Sequence, residues 1–322
     1  MALLGGAAAA WPLGVRAQSR NRMRRIGIVM AYAANDPNGQ TQVLALRDEL
    51  QKFGWIEGGN IQIDVRYAKD NPTGIRDLAR ELLAQGPDLM VSNSNLVTSI
   101  LQNIGRRCAF GVHIGFRSRR QRLHQGVARP GGSVTRFANF QPSMGSKWLE
   151  KLHEIAPQLG RVGLMYHPEP PNIGYLKSAQ SVAPQLNVKL VELSVHNSAE
   201  IEGAFSAFRE QAHSGLIVVP NVVAFANSEL IVGLAERHHL PAIYPFAFFT
   251  RQGGLISYGF DESDQFRQGA VYIDKILKDA KPADLPVQHP TKFEITINLR
   301  TAKALDINVP TQLLQLADQV IE

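Results

Sequence analysis

Short apolar runs rich in β-branched residues alternate with helical patterns, and this alternation constrains the fold more than any other feature of the chain. Residues 25–32, 61–68 and 88–94 are predicted strands, and the segments 40–53 and 73–85 between them carry apolar residues at helical spacing. A β-α-β-α-β order requires parallel strands joined by right-handed crossovers, with helices on both faces of the sheet. The first half of the chain is therefore predicted to be of the α/β class.

The same pattern repeats in the second half. Predicted strands at 161–168, 189–195 and 215–220 are separated by helical patterns at 172–183 and 198–211. Three more predicted strands follow, at 240–246, 254–260 and 293–299. With 322 residues the chain is long enough for two such units, so we predict two lobes that each contain a parallel sheet.

The two predicted lobes are discontinuous in sequence. We assign residues 24–138 plus 259–290 to the first lobe and residues 139–258 plus 291–322 to the second. The helical pattern that follows the strand at 254–260 is expected to pack on the first lobe, and the strand at 293–299 is expected to return to the second.

Residues 1–23 precede the predicted fold. Residues 1–17 form an apolar, Ala- and Gly-rich run that ends in Val15-Arg16-Ala17, which matches a signal-peptide core and its cleavage site, so the mature chain is expected to begin near Gln18. This run is too short to span a bilayer, and it lacks a basic start. The alternative is a disordered or buried arm. We predict export to the periplasm, which suits a chain with a single cysteine.

The formal net charge of +6 is concentrated in one segment. Between Asp88 and Glu150 there are nine basic residues and no acidic one, so the rest of the chain is mildly acidic. A nucleic-acid-binding surface would interleave these basic residues with aromatic side chains, but Phe110 and Phe116 are the only aromatic residues within 106–122. We therefore predict that nucleic acid is not a partner.

The sequence lacks the motifs of phosphate cradles, hydrolases and metal sites. No GxGxxG, Walker A or GxSxG pattern occurs, and Cys108 is the only cysteine. The pair His153-Glu154 begins like a metalloprotease helix, but Pro157 stands where the second histidine ligand would be. We therefore predict no enzymatic activity, no cofactor and no metal site.

Polar and aromatic residues follow the carboxyl ends of the predicted strands, where open parallel sheets bind ligands. Backbone N–H groups where residues 94–95 enter a helix suit a carboxylate, and aromatic side chains suit an apolar group. The alternative for each of these residues is an ordinary loop or cap role. The predicted ligand-binding residues are Tyr32, Ser92, Ser94, Asn95, Tyr166, Asn172, Asn221, Tyr244, Phe246 and Asp261.

Several longer motifs resemble those of one known family. They are the exported start, the pattern Gly-Trp-x-Glu-Gly-x-Asn within residues 50–64, the stretch 254–261, and residues 281–305, which begin Lys-Pro-Ala-Asp-Leu-Pro-Val-Gln. In combination these motifs are similar to those of ABC-transporter substrate-binding proteins, and more narrowly to a branch related to tryptophan- and tyrosine-binding transport components. The resemblance covers nearly the whole chain except residues 105–126.

This resemblance implies a type I periplasmic-binding-protein fold, in which two Rossmann-like parallel-sheet lobes joined by a three-crossing hinge close on a small solute. The implied function is solute capture for an ABC importer, and the solute could be an aromatic or apolar amino acid. The implied partners are the solute and the membrane permease, and the protein is expected to be a monomer. A small-molecule enzyme or a sensory binding protein of the same fold is the alternative.

The resemblance also bears on individual site residues. Asp261 follows the last predicted strand of the motif at 254–261, so its carboxylate is expected to face a solute ammonium group. Asn95-Leu96 and Asn221-Val222 stand where relatives commonly have Thr-Pro and Asp-Asn pairs. Because those positions are expected to touch an amino acid, the identity of the ligand does not transfer from the family.

Residues 105–126 interrupt the resemblance. Relatives have an apolar strand here, whereas this segment contains six arginines and the only cysteine. One interpretation is a solvated basic loop, or a shortened strand at 109–114. The other is translation out of frame, because burying even one unpaired guanidinium costs several kcal/mol. The second interpretation predicts that the fourth strand of the first lobe is missing.

Overall fold

The computed structural model describes residues 22–68, 72–104, 112–115, 134–138, 141–168, 170–208 and 213–322. In these ranges the chain forms two separate β-sheets, and helices cover both faces of each sheet. Within the same ranges, no helix combines the length and the apolar composition that crossing a membrane requires. The architecture is the predicted α/β class.

The first sheet comes from the first half of the chain. The elements are β1 (Arg24–Met30), α1 (Pro37–Lys52), β2 (Ile61–Tyr67), α2 (Pro72–Ala84), β3 (Leu89–Ser92), α3 (Asn95–Ile104), β4 (Val112–Gly115) and β5 (Thr135–Ala138). Their strands pair in parallel in the order β2-β1-β3-β4-β5. Pro37 opens α1, and Asp36 caps that helix by accepting the backbone N–H of Asn38 at 2.8 Å.

The fourth strand of this sheet is present, which corrects the prediction that it is missing. Val112 of β4 pairs with Val91 of β3 and with Thr135 of β5. The strand overlaps the shortened strand predicted at 109–114, because Val112 and Ile114 favour extended backbone and the edge of β3 would otherwise be unpaired. The rest of the segment, residues 105–111 and 116–126, lies outside the described residues.

The second sheet is built from the rest of the chain. Its elements and the connecting helix are α4 (Met144–Ile155), β6 (Arg161–Tyr166), α5 (Pro170–Val182), β7 (Lys189–Ser194), α6 (Ser198–Phe208), β8 (Ser214–Val218), α7 (Val222–Ala226), α8 (Ser228–Arg237), β9 (Ala242–Tyr244), α9 (Ala247–Arg251), β10 (Ile256–Phe260), α10 (Glu262–Leu277), β11 (Phe293–Asn298), α11 (Leu299–Ala304), α12 (Thr311–Gln315) and β12 (Gln319–Ile321). The strand order is β12-β11-β10-β9-β8-β6-β7. Neighbouring strands are parallel except β10 and β11, which are antiparallel.

Helix α10 packs on the first sheet, although the strands before and after it belong to the second. Phe266 and Ile273 of α10 are buried in the same apolar cluster as Ile28 of β1. The chain leaves the second sheet after Phe260 and rejoins it at Phe293. Together with the connection from β5 to α4, the chain thus passes between the two sheets three times. The lobe bounds stated above stay a prediction.

A close backbone approach brings β10 next to the start of α9. A Cβ atom at Gly259 would clash with the backbone oxygen of Pro245, which lies in the connection from β9 to α9. Glycine is therefore the only residue that allows these two segments to lie so close together. As a result, the segment that leads into α9 and the end of β10, which leads into α10, lie close together at this point.

Candidate functional site

A cleft of about 310 Å³ lies between the amino-terminal half of α1 and the facing elements of the second sheet. α1 follows β1, α9 follows β9 and α10 follows β10, so each of these helices begins at the carboxyl end of a strand. That edge is where open α/β sheets bind ligands. The cleft also receives residues from β10 and β11 of the second sheet and from the connection that enters α10.

Three phenylalanines supply the apolar wall of the cleft. The Phe246 ring meets the Phe260 ring edge-to-face with centroids 4.9 Å apart, and it stacks with the Phe248 ring at 6.2 Å. Tyr244 stacks on Phe249 at 5.1 Å within the same buried aromatic cluster, and burial raises the pKa of its hydroxyl. These contacts hold the wall in place, and its exposed part suits an apolar group of a ligand.

Asp261 lines the cleft, but it is already bonded within the protein. Its Oδ1 accepts the backbone N–H of Asp264 at 3.0 Å and so caps α10. Its Oδ2 lies 3.0 Å from Nζ of Lys292 and 3.4 Å from the Arg267 guanidinium. Although burial opposes ionisation, the Lys292 ammonium and the cap together lower the pKa of Asp261. Asp261 is thus a capping and ion-paired group in this structure, and its expected contact with a solute ammonium group stays a prediction.

Two further carboxylates, Glu262 and Glu294, line the cleft together with the guanidinium of Arg251. In the described part of the chain, neither carboxylate makes an ion pair or a side-chain hydrogen bond. Burial raises the pKa of Glu262 to about 7, with a further increase from Glu294 and Asp36 and a decrease from Arg251. Burial, followed by the charge of Asp261, likewise raises the pKa of Glu294. Both carboxyl groups therefore hold their charge at a free-energy cost.

Glu294 reaches the cleft because β11 runs antiparallel to β10. Gly259 pairs with Glu294, so the amino end of β11 lies at the carboxyl end of β10. Side chains alternate along a strand, which puts Glu294 on the same face as Asn298. The Asn298 Nδ2 donates to the backbone oxygen of Thr250 in α9 at 3.2 Å. Glu294 therefore lies on the face of β11 that packs against α9.

Gln42 contributes a buried acceptor from the α1 side of the cleft. Its side chain lines the cleft and the residue is only 3% exposed. Its Nε2 donates to the hydroxyl of Tyr32 at 3.2 Å. Its Oε1 is buried without a hydrogen-bond partner among the described residues. An unpaired buried acceptor costs free energy, so Oε1 is suited to a donor that comes from outside the protein.

Of the ten predicted ligand-binding residues, Phe246 and Asp261 line this cleft. In the first half of the chain, the Ser92 hydroxyl lies 2.7 Å from the Thr98 hydroxyl, and Ser94 Oγ accepts the backbone N–H of Val97 at 3.2 Å. Both serines thus serve the start of α3. The side chain of Asn95 lies outside the described residues.

In the second half, the remaining predicted residues are also bonded within the protein. The Tyr166 hydroxyl donates to Glu192 at 2.8 Å, and burial together with this carboxylate raises the pKa of Tyr166. The Asn172 side chain donates to the backbone oxygen of His167 at 2.8 Å, and Asn221 caps α7. These three residues do not line the cleft described above, and their role in ligand binding stays a prediction.

Sequence reasoning missed several residues of the cleft, namely Gln42, Phe248, Arg251, Glu262 and Glu294. Glu262 directly follows Asp261, so the search for polar residues after strand ends would have included it if it had extended one residue further. The others carry no local signal, because α9 is only five residues long and Glu294 lies at the start of a strand. In the described ranges, no cluster of three or more His, Cys, Asp or Glu side chains is placed to hold a metal ion.

Comparison with known proteins places the chain among others of this architecture. A tyrosine-binding protein of Clostridioides difficile strain R20291 is 22% identical over 290 residues, which cover 89% of this chain and 82% of that protein. The ABC domain in complex with L-Trp from Streptococcus pneumoniae has a TM-score of 0.80 at 20% identity, with 93% of this chain and 100% of that chain covered. A conserved domain protein from Vibrio cholerae has a TM-score of 0.80 at 22% identity, with the same 93% and 100% covered.

These likenesses establish the fold, which is the type I periplasmic-binding-protein fold predicted from the sequence. The family model described as ABC transporter substrate binding protein matches residues 28–321, which is nearly the whole chain. The chain therefore belongs to the family of ABC-transporter substrate-binding proteins.

Proposed function

We propose that this protein captures an aromatic or apolar amino acid in the cleft between its two sheets and delivers it, chemically unchanged, to an ABC permease. The observation that carries the proposal is the composition of the cleft, which combines a phenylalanine wall with both signs of charge. An amino acid with an apolar side chain has three complementary parts, namely the side chain, the carboxylate and the ammonium group. The tyrosine-binding relative and the L-Trp complex of a structural neighbour support the same class of solute.

Each part of such a solute has a counterpart in the cleft. The side chain would pack on Phe246, Phe248 and Phe260. The carboxylate would meet the Arg251 guanidinium, which is exposed and makes no ion pair within the described part of the chain. The ammonium group would lie toward the carboxylates at the start of α10.

Capture would proceed by closure of two lobes, with the bounds 24–138 plus 259–290 and 139–258 plus 291–322. Ligand contacts from both lobes would shift the population of the protein toward the closed state. The permease would then bind that closed state. The signal-like residues 1–17 support export to the periplasm, and a monomer is the form that we expect to work with the permease.

The test is a thermal-shift and calorimetric screen of the mature chain, from residue 18, against the standard amino acids and a set of sugars. A solute at about 100 times its Kd should stabilise the fold by about 2.7 kcal/mol. Arg251→Gln should weaken binding of the amino acid, whereas Arg300→Gln, which changes an exposed arginine outside the cleft, should not. Binding of sugars alone, or equal binding by Arg251→Gln, would contradict the proposal.

A further inference from the structure

We infer that Glu262, Glu294 and the Oε1 atom of Gln42 form a subsite for a protonated amine, so that an ammonium group is the part of the solute that this cleft requires. The inference rests on the proposed function, because it concerns the same cleft and specifies which chemical group of the solute is recognised there. It differs from the sequence expectation, which assigned the ammonium group to Asp261.

The three acceptors come from three different elements, α10, β11 and α1, and all line one cleft. The two carboxylates have no cationic partner in ion-pair contact within the described ranges. The Gln42 Oε1 is an independent indication, since it is a buried oxygen without a donor in the part of the chain that the structure describes. One ammonium group has three N–H donors, which matches three unpaired acceptors.

The cationic groups that the structure describes near these carboxylates do not satisfy this need. Lys292 and Arg267 both bind Asp261, at 3.0 and 3.4 Å. Arg251 is near enough to lower the pKa of Glu262, yet it forms no ion pair with this carboxylate. Among the described residues, no cationic side chain pairs with Glu262 or Glu294, so an added cation would find both carboxylates available.

An anion is the competing occupant, because helices α1 and α10 both begin at the cleft and helix N-termini attract negative charge. Those N-termini are already capped, however. Asp36 accepts the backbone N–H of Asn38 at 2.8 Å, and Asp261 accepts that of Asp264 at 3.0 Å. The next carboxylates, Glu262 and Glu294, would repel an anion. The cleft is thus acidic at this end, even though the chain as a whole carries a formal charge of +6.

The aromatic wall favours the same occupant. Phe246 and Phe260 line the cleft beside the start of α10, and the negative faces of aromatic rings attract organic cations. A carboxylate solute without an amine would gain only the apolar part of these contacts.

Binding of an ammonium group should be coupled to loss of a proton from Glu262. The pKa of this carboxyl is raised to about 7 in the empty cleft, and a bound cation would lower it. The charged groups around it are Asp36, which caps α1, Glu294 from β11, Arg251 from α9 and Asp261, which caps its own helix. Affinity for the amine should therefore fall about tenfold for each pH unit below about 7.

The test uses calorimetry with three probes on the full mature protein. Phenethylamine and hydrocinnamate share an aromatic ring on a short chain, but the first ends in an ammonium group and the second in a carboxylate; phenylalanine carries both. The variants are Glu262→Gln, Glu294→Gln and Gln42→Met. The matched control is Glu202→Gln, which removes the charge of an exposed glutamate on α6 outside the cleft.

Glu262→Gln removes a charge-assisted hydrogen bond to the ammonium group. We therefore expect it to weaken the binding of phenethylamine and phenylalanine by about 10- to 100-fold, and the binding of hydrocinnamate by less than about twofold. Glu294→Gln and Gln42→Met should show smaller losses with the same selectivity, and Glu202→Gln should show none. The pH dependence of amine binding should disappear in Glu262→Gln. Retention of amine affinity in Glu262→Gln, or an equal loss for all three probes, would overturn the inference.

The same experiment separates this inference from the proposed function. If wild-type protein binds hydrocinnamate but neither amine, the ammonium subsite is wrong and solute capture in the cleft stands. If phenethylamine binds and no amino acid does, the ammonium subsite stands and the amino-acid ligand is wrong. If no probe and no amino acid binds, both proposals fall.

Discussion

The indole Nε1 of Trp55 donates a hydrogen bond to Oδ1 of Asp274 over 2.9 Å, across 219 positions of the sequence. Trp55 follows α1, and Asp274 lies on α10, the helix that begins with Glu262. This bond helps to hold α10 on the first sheet, so the Gly-Trp motif of residues 54–60 supports the position of the cleft from a distance.

Replacing Trp55 by Phe should remove this bond while keeping most of the aromatic volume. Because the acceptor is a partly buried carboxylate, we expect the free energy of unfolding to fall by about 1.5–3 kcal/mol in urea melts. Lys278 binds the same carboxylate at 2.7 Å but is more exposed, so Lys278→Gln should cost less than about 1 kcal/mol. Equal costs for the two variants would contradict the role given to Trp55.

Gly259→Ala should be strongly destabilising. The added Cβ would clash with the backbone oxygen of Pro245, which directly follows β9, and neither segment can move without disturbing the pairing of β10 with its neighbours. We expect a loss of about 3 kcal/mol or more, read from urea melts. Gly203 in α6 is the matched control, because its Cβ would meet nothing within 4 Å, and Gly203→Ala should add about 0.5–1 kcal/mol.

Glu262→Gln should stabilise the empty protein at alkaline pH. The pKa of Glu262 rises from 4.5 to about 7 on folding, so the folded protein keeps a proton that the unfolded chain releases. The stability associated with that proton is fully present below 4.5 and is lost as the pH rises through about 7. At about pH 8 the variant should therefore be more stable than the wild type by about 1–3 kcal/mol, after allowance for the partial exposure of the side chain.

Thermal and urea melts at about pH 5 and about pH 8 would measure this difference. The gain should shrink toward the lower pH, and the control Glu202→Gln should show no such dependence. A constant offset at both pH values would mean that Glu262 does not titrate between them.

Asp261→Ala should destabilise the protein at neutral pH, since it removes the cap of α10 and the partner of Lys292 and Arg267. We expect a cost of about 1–3 kcal/mol. The pKa of Asp261 is lowered from 3.8, so its contribution is present above that value and is lost as the pH falls through its lower folded pKa. Wild type and variant should therefore converge in acid, whereas exposed Asp77→Ala should change little at any pH.

Elements with a long repeating pattern could be predicted from the sequence, because that pattern depends only on which face of a strand or helix is buried. The strand predicted at 61–68 is observed at Ile61–Tyr67, and the one predicted at 254–260 is observed at Ile256–Phe260. The helix Ala247–Arg251 was not predicted. It is too short to show a helical period, and its place is set by packing against β10 and β11.

The sequence by itself determined the two-sheet α/β fold, the family, and the two cleft residues, Phe246 and Asp261, that follow strand ends. Only the tertiary structure decided which polar groups remain unpaired in the cleft. Asp261 is neutralised by Lys292, which is 31 positions away. Glu294 enters the cleft because one strand of a mostly parallel sheet is reversed. Such relations depend on pairing between distant segments, and local sequence patterns carry no record of it.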